Sequence, residues 1–210
     1  MDNSTQMQIR ILRDIKAGTC PGYDANSVTY IEYGLHNPIS IKQMFDAGAL
    51  DHAIIYTPNK EVVDEIQALN NDHIQASSNP KDFFGLKPSM VRVDAHVDGK
   101  QTDGESVVLT SMKADLLQSR PFLFVRNDNP FQTDTILHIM GALGYQTMFM
   151  HDLLKDGTPE KVWVVGIPGA FPIDVNILSD KIRHPLATLA ETSTPCIFST
   201  EDSSMTWRVQ

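Results

Sequence analysis

Three residues in the run Met90 to Gly99 carry the chemistry that this chain most openly offers. Asp94, His96 and Asp98 alternate with Val93, Ala95 and Val97, so on a β-strand the two carboxylates and the imidazole share one face. Carboxylate and imidazole together suit a divalent ion such as manganese or zinc. Alternate strand residues stand about 6.5–7 Å apart, so the two aspartates reach one ion only where a bulge or strand end bends the chain, as Gly99 would permit. His36 and Asp174 are the further residues that could complete such a site. The same pattern describes the wet face of an antiparallel strand whose valines face a core.

Asp94-Ala95-His96-Val97-Asp98 is similar to the Asp-Ala-His-x-Asp motif of the arginase-like ureohydrolases. The resemblance covers these five residues. It implies that Asp94, His96 and Asp98 are ligands of a two-manganese centre. The family's Gly-Gly-Asp-His motif stands here as Gly34-Leu35-His36-Asn37, and its second Asp-x-Asp motif as Asp174-Val175-Asn176. On this reading the chain is a metal-dependent hydrolase acting on a C–N bond, with a metal-bound water as nucleophile.

Other constellations offer less. Asp51-His52, Asp72-His73 and His151-Asp152 are sequence neighbours, which a strand points to opposite faces. Cys20 and Cys196 lack a Cys-x-x-Cys partner, which excludes a structural zinc finger and favours two unpaired thiols. The loop Gly166 to Phe171 follows an apolar strand and is a candidate ligand-binding loop, although its spacing is not that of a phosphate cradle.

The elements that would position these groups are short. The chain has 210 residues, with 19 Asp against 7 Glu, 12 Gly and 12 Pro, a composition rich in turns. Strands are expected at Met7–Leu12, Ser27–Tyr33, His52–Tyr56, Pro121–Arg126, Tyr145–Met150 and Lys161–Ile167. A hairpin is expected to turn at 99–104 and return through Ser106–Ser111, and another to close the chain at 195–209. Helices are expected at about 39–47, 59–69, 133–143 and 175–183. The fold class is therefore α/β or α+β, a mixed sheet with about four helices and at least two β-hairpins. One domain spans 1–210, with the best subdivision near 70–89.

The net charge of −9 and the scattered basic residues argue against a nucleic-acid partner. No apolar run is long enough for a membrane helix, and the first residues lack a signal peptide's regions, so a cytoplasmic location, or a particle assembled there, is expected. With no strong catalytic motif, the leading expectation is a non-catalytic structural or interaction subunit of a larger assembly, without cofactor, such as a phage or viral particle component. It would bind other subunits or itself. The metal hydrolase and a small-ligand-binding α/β domain are the alternatives.

Overall fold

The computed structural model describes residues 2–34, 38–68, 72–79, 82, 86–95, 104–154, 156–169, 196–201 and 204–209, the last two as backbone. The chain begins with helix α1 (Asn3–Lys16), capped by Asp2, whose carboxylate accepts from Thr5 N–H at 2.7 Å. Strand β1 (Thr29–Gly34), helix α2 (Pro38–Asp46), β2 (His52–Tyr56), α3 (Lys60–Ala68) and β3 (Ile74–Ser77) follow. Next come β4 (Met90–Asp94), α4 (Gly104–Ser111), α5 (Lys113–Ser119), β5 (Phe122–Arg126) and α6 (Thr133–Ala142). Strands β6 (Tyr145–Leu153) and β7 (Pro159–Pro168) form a hairpin, and β8 (Cys196–Glu201) pairs with β9 (Ser204–Val209) in a second one.

Seven strands make one mixed sheet in the order β3-β2-β1-β4-β5-β7-β6. The first five run parallel, and β7 is antiparallel to both of its neighbours. Strands β5 and β6 therefore run parallel with β7 inserted between them. From β1 the chain moves outward through β2 and β3, then returns to build β4 and β5 on the other side. The order reverses between β1 and β4, which is where a doubly wound sheet leaves a crevice at its carboxyl edge.

Helices cover both faces. Met7, Leu12 and Ile15 of α1, Met44 of α2 and Ile66 of α3 pack on Tyr30, Met90, Phe124 and Trp163. Leu109 of α4, Leu116 of α5 and Met140 of α6 pack on Ile31, Val91, Val125 and Val164. Alternation along each strand therefore sorts side chains between two dry layers.

This arrangement corrects several expectations. Met7–Leu12 is helical, not a strand. Its apolar residues fit a period of two, but Ser4, Gln8, Leu12 and Ile15 are also buried, and the Asp2 cap fixes the helix start. Ser106–Ser111 is the helix α4, in which Glu105, Ser106 and Leu109 are buried, so the hairpin returning from 99–104 does not form. The helices expected at 39–47, 59–69 and 133–143 are present as α2, α3 and α6, and the one expected at 175–183 lies outside the described residues. Separately, Ile74–Ser77 forms strand β3 at the edge of the seven-stranded sheet.

Candidate site at the carboxyl edge of the sheet

Strand β4 has no wet face: all five of its residues are buried. Arg92 and Asp94 are buried where a solvated strand face was expected. A buried charge must be paired, and here the pairing crosses three strands.

Glu32 of β1 lies opposite Arg92 of β4, with Glu32 Oε1 at 3.2 Å from Arg92 Nε. Arg92 Nη2 stands 3.7 Å from Asp94 Oδ2, and Asp94 Oδ1 accepts from Arg126 Nη1 at 3.0 Å. Arg126 in turn pairs with Asp128, just beyond β5. The guanidinium of Arg92 also lies over the Trp163 ring, 4.5 Å from its centroid. Glu32, Asp94 and Asp128 thus alternate with Arg92 and Arg126 across the edge, three carboxylates against two guanidiniums. Burial works against the charge on Arg92, but Glu32, Tyr30, Asp94 and Asp2 outweigh it and raise its pKa. Burial likewise opposes the charge on Arg126, and its bonds to Asp128 and Asp94 prevail. The Tyr30 hydroxyl, which donates to Glu32 Oε2 at 3.1 Å, is pushed well up by burial and then by the Glu32 charge.

Close contact between β1 and β4 holds this edge together. Gly34 pairs with Asp94 at φ +129°, and a Cβ there would stand 1.6 Å from the Asp94 carbonyl oxygen. Only glycine fits. Beside it, Tyr33 of β1 and Tyr56 of β2 place their rings 5.6 Å apart on the opposite face. Thr57 follows β2, and its buried Oγ1 accepts from Asn59 N–H at 3.2 Å. No carboxylate occupies residues 56–60.

Of the expected metal ligands, only Asp94 falls in the described residues; His36, His96, Asp98 and Asp174 lie outside them. Asp94 is engaged by two guanidiniums, and no group of three His, Cys, Asp or Glu among the described residues could hold a metal ion. The loop expected to bind a ligand from Gly166 onward is placed differently. Gly166 is an interior residue of β7, paired with Leu123 and Thr147. Because β7 runs antiparallel, its end at Pro168-Gly169 lies at the amino edge, where Arg120 donates to the Gly169 carbonyl at 2.9 Å. That is the wrong end of the sheet for the crevice.

Glu32, Arg92, Arg126 and Asp128 were not singled out from the sequence. Their signal was present: charged residues inside apolar strand runs such as Thr-Tyr-Ile-Glu-Tyr-Gly and Met-Val-Arg-Val-Asp. In a sheet covered on both faces such residues need partners.

Neither a family model nor a curated protein matches this sequence. Solved structures do share its fold. A candidate tRNA (m1A22) methyltransferase from Streptococcus pneumoniae is 13% identical, over 85% of this chain and 74% of that one, with a TM-score of 0.53. A spermidine synthase from Thermotoga maritima is 9% identical, over 91% and 72%, at 0.52. A candidate RNA methyltransferase from Pyrococcus horikoshii is 11% identical, over 78% and 82%, at 0.51. The fold is the Rossmann-like one of methyltransferases.

That finding corrects the functional expectations. A non-catalytic assembly subunit or viral particle component was inferred from missing motifs, yet the chain shares its fold with solved structures described as methyltransferases. The metal-dependent C–N hydrolase falls with it, since a five-residue string is outweighed by a likeness spanning most of the chain. The exclusion of nucleic acid from net charge is also withdrawn, because two of these neighbours are candidate tRNA and RNA methyltransferases. No helix among the described residues is long and apolar enough to cross a membrane.

Proposed function

We propose that the chain is a methyltransferase that binds S-adenosylmethionine across the carboxyl ends of β1, β2 and β4. The observation that carries this reading is the strand order, with its reversal between β1 and β4, in a fold shared with methyltransferase structures. A doubly wound sheet binds its ligand at that reversal.

The side chains fit such a donor in two respects. The donor is positively charged at sulfur, and the edge carries one carboxylate more than it has guanidiniums among Glu32, Arg92, Asp94, Arg126 and Asp128. The Tyr33–Tyr56 pair would bear the adenine ring. The fit differs at the ribose. An acidic residue after the second strand ordinarily receives a ribose hydroxyl in sheets of this kind. Here the acceptors at that position are Thr57 Oγ1 and Asn59 Oδ1, both already taking one backbone N–H. When bound, the donor supplies an electrophilic methyl group that passes to a nucleophilic atom of the acceptor. The chain's own part is to orient both molecules and to keep water from the edge.

Thermal unfolding tests the reading. Ligand at 100 times its dissociation constant stabilises a folded protein by about 2.7 kcal/mol. S-adenosylhomocysteine at 1 mM, roughly that excess for a ligand of about 10 μM affinity, should raise the midpoint by several degrees. Adenosine triphosphate should not. Equal shifts from both, or none from either, would defeat the proposal.

A further inference from the structure

The turn that follows β5 presents a large aromatic ring to water and is built so that the ring stays there. Asn129, itself buried, accepts the Phe131 N–H on its side-chain oxygen at 3.0 Å. Pro130 fixes the backbone at the first position of the turn. Gln132 is buried, and its Nε2 donates to Glu105 Oε2 at 3.0 Å, tying the turn to the first residues of α4. Asn127 Nδ2 donates to Thr133 Oγ1 at 2.9 Å and closes the base. Between these fixed residues Phe131 is 87% exposed, more than any other large hydrophobic side chain described.

Its place in the fold bears on its role. The turn leaves β5 at the carboxyl edge, three residues beyond Asp128 and so next to the ion-paired edge. A ring held in water beside a ligand crevice offers a flat apolar face on which a planar group can stack. The face of a phenyl ring is electron-rich, and the edge beside it carries an excess carboxylate. Both favour an electron-poor or cationic heterocycle over a hydrocarbon.

We infer that Phe131 is the stacking platform for a planar nitrogen heterocycle, of nucleobase type, on the methyl acceptor. This rests on the methyl-transfer reading of the adjacent edge. The heterocycle belongs either to a free nucleoside or to a single-stranded nucleic acid, and both stack in the same way.

The test places an indole at the position through Phe131→Trp and follows its fluorescence, with the Phe131 protein as the blank for the two native tryptophans. Protein with excess S-adenosylhomocysteine is titrated with guanosine, cytidine, a ten-nucleotide single-stranded oligocytidylate, ribose and cyclohexanol. The inference expects saturable quenching by the heterocycles and none by ribose or cyclohexanol. The oligonucleotide binding more tightly than cytidine identifies nucleic acid as the source, and equal or weaker binding identifies the nucleoside. In parallel calorimetry Phe131→Ala should weaken the better ligand by roughly 5- to 100-fold, whereas Phe131→Tyr should retain it. Quenching by cyclohexanol as strong as by cytidine, or by no heterocycle at all, overturns the platform. S-adenosylhomocysteine binding is measured separately on each variant. Its loss in every variant with heterocycle quenching intact defeats the donor reading alone, and donor binding without quenching defeats the platform alone.

Discussion

Asp152 shows how a single carboxylate can fix the start of a chain to the far side of a sheet. Its oxygens accept from Ser4 N–H at 2.7 Å, Ser4 Oγ at 2.8 Å and Trp163 Nε1 at 2.7 Å, all buried. Replacing it with alanine would strand Ser4 N–H and Trp163 Nε1–H and leave Ser4 Oγ only its 3.2 Å bond to Asp2, so Asp152→Ala should lower unfolding free energy by about 3 kcal/mol in urea. Arg92→Met is expected to cost about 3–5 kcal/mol, because Glu32 would remain buried without its cation while Asp94 keeps only Arg126. A double-mutant cycle with Glu32→Gln should recover part of that loss; additive costs would show that the pair is not coupled. Cys20 is free and buried, with burial and then Asp14 pushing its thiol up to about 12. Native protein at pH 8 should accordingly resist thiol alkylation at Cys20. At this scale the sequence was partly legible. Asp94 stood out by its spacing from His96 and Asp98, but its partner Arg126 is 32 residues away, and only the parallel pairing of β4 with β5 brings them together.

Elements with strong end signals were readable, and those whose character depends on neighbours were not. The helix from Pro38, the strand at His52–Tyr56 and the strand at Phe122–Arg126 followed from caps, glycine stops and β-branched or aromatic runs. Helix α1 was misread because its apolar residues satisfy both periods, and α4 because Val107-Val108-Leu109-Thr110 favours a strand locally. The α1 cap gives a pH prediction. Burial raises the Asp2 pKa, but bonds from Thr5 and the nearby Arg92 outweigh it, leaving it below 3.8. Its stabilisation is therefore complete above about pH 4 and fades as pH falls through the lowered value. Asp2→Ala should cost about 0.5–2 kcal/mol at pH 7, and the gap should narrow toward pH 3. A gap independent of pH would contradict the cap. Gly34→Ala tests the β1–β4 contact: a clash at 1.6 Å together with φ +129° should cost about 3 kcal/mol or more, seen as a lowered urea midpoint.

For the molecule as a whole, the class of fold was legible and its order was not. Apolar strands alternating with amphipathic helices announce a mixed α/β sheet. Nothing local states that β4 sits beside β1, or that β7 inserts between β5 and β6, since those choices depend on contacts far apart in sequence. That order puts the donor site we propose at the carboxyl edge of β1 and β4, and it places Gly169 at the opposite edge. Calorimetric titration of the wild-type chain with S-adenosylhomocysteine, repeated on Tyr56→Ala, tests this most directly, because Tyr56 is half-buried and its loss leaves the core in place. We expect one site per chain with a dissociation constant on the order of 10 μM, weakened by about tenfold in the variant, as for losing one ring contact worth about 1.4 kcal/mol. No binding at millimolar ligand, or equal affinity in both proteins, would contradict a methyl-donor site at the β1–β2–β4 edge.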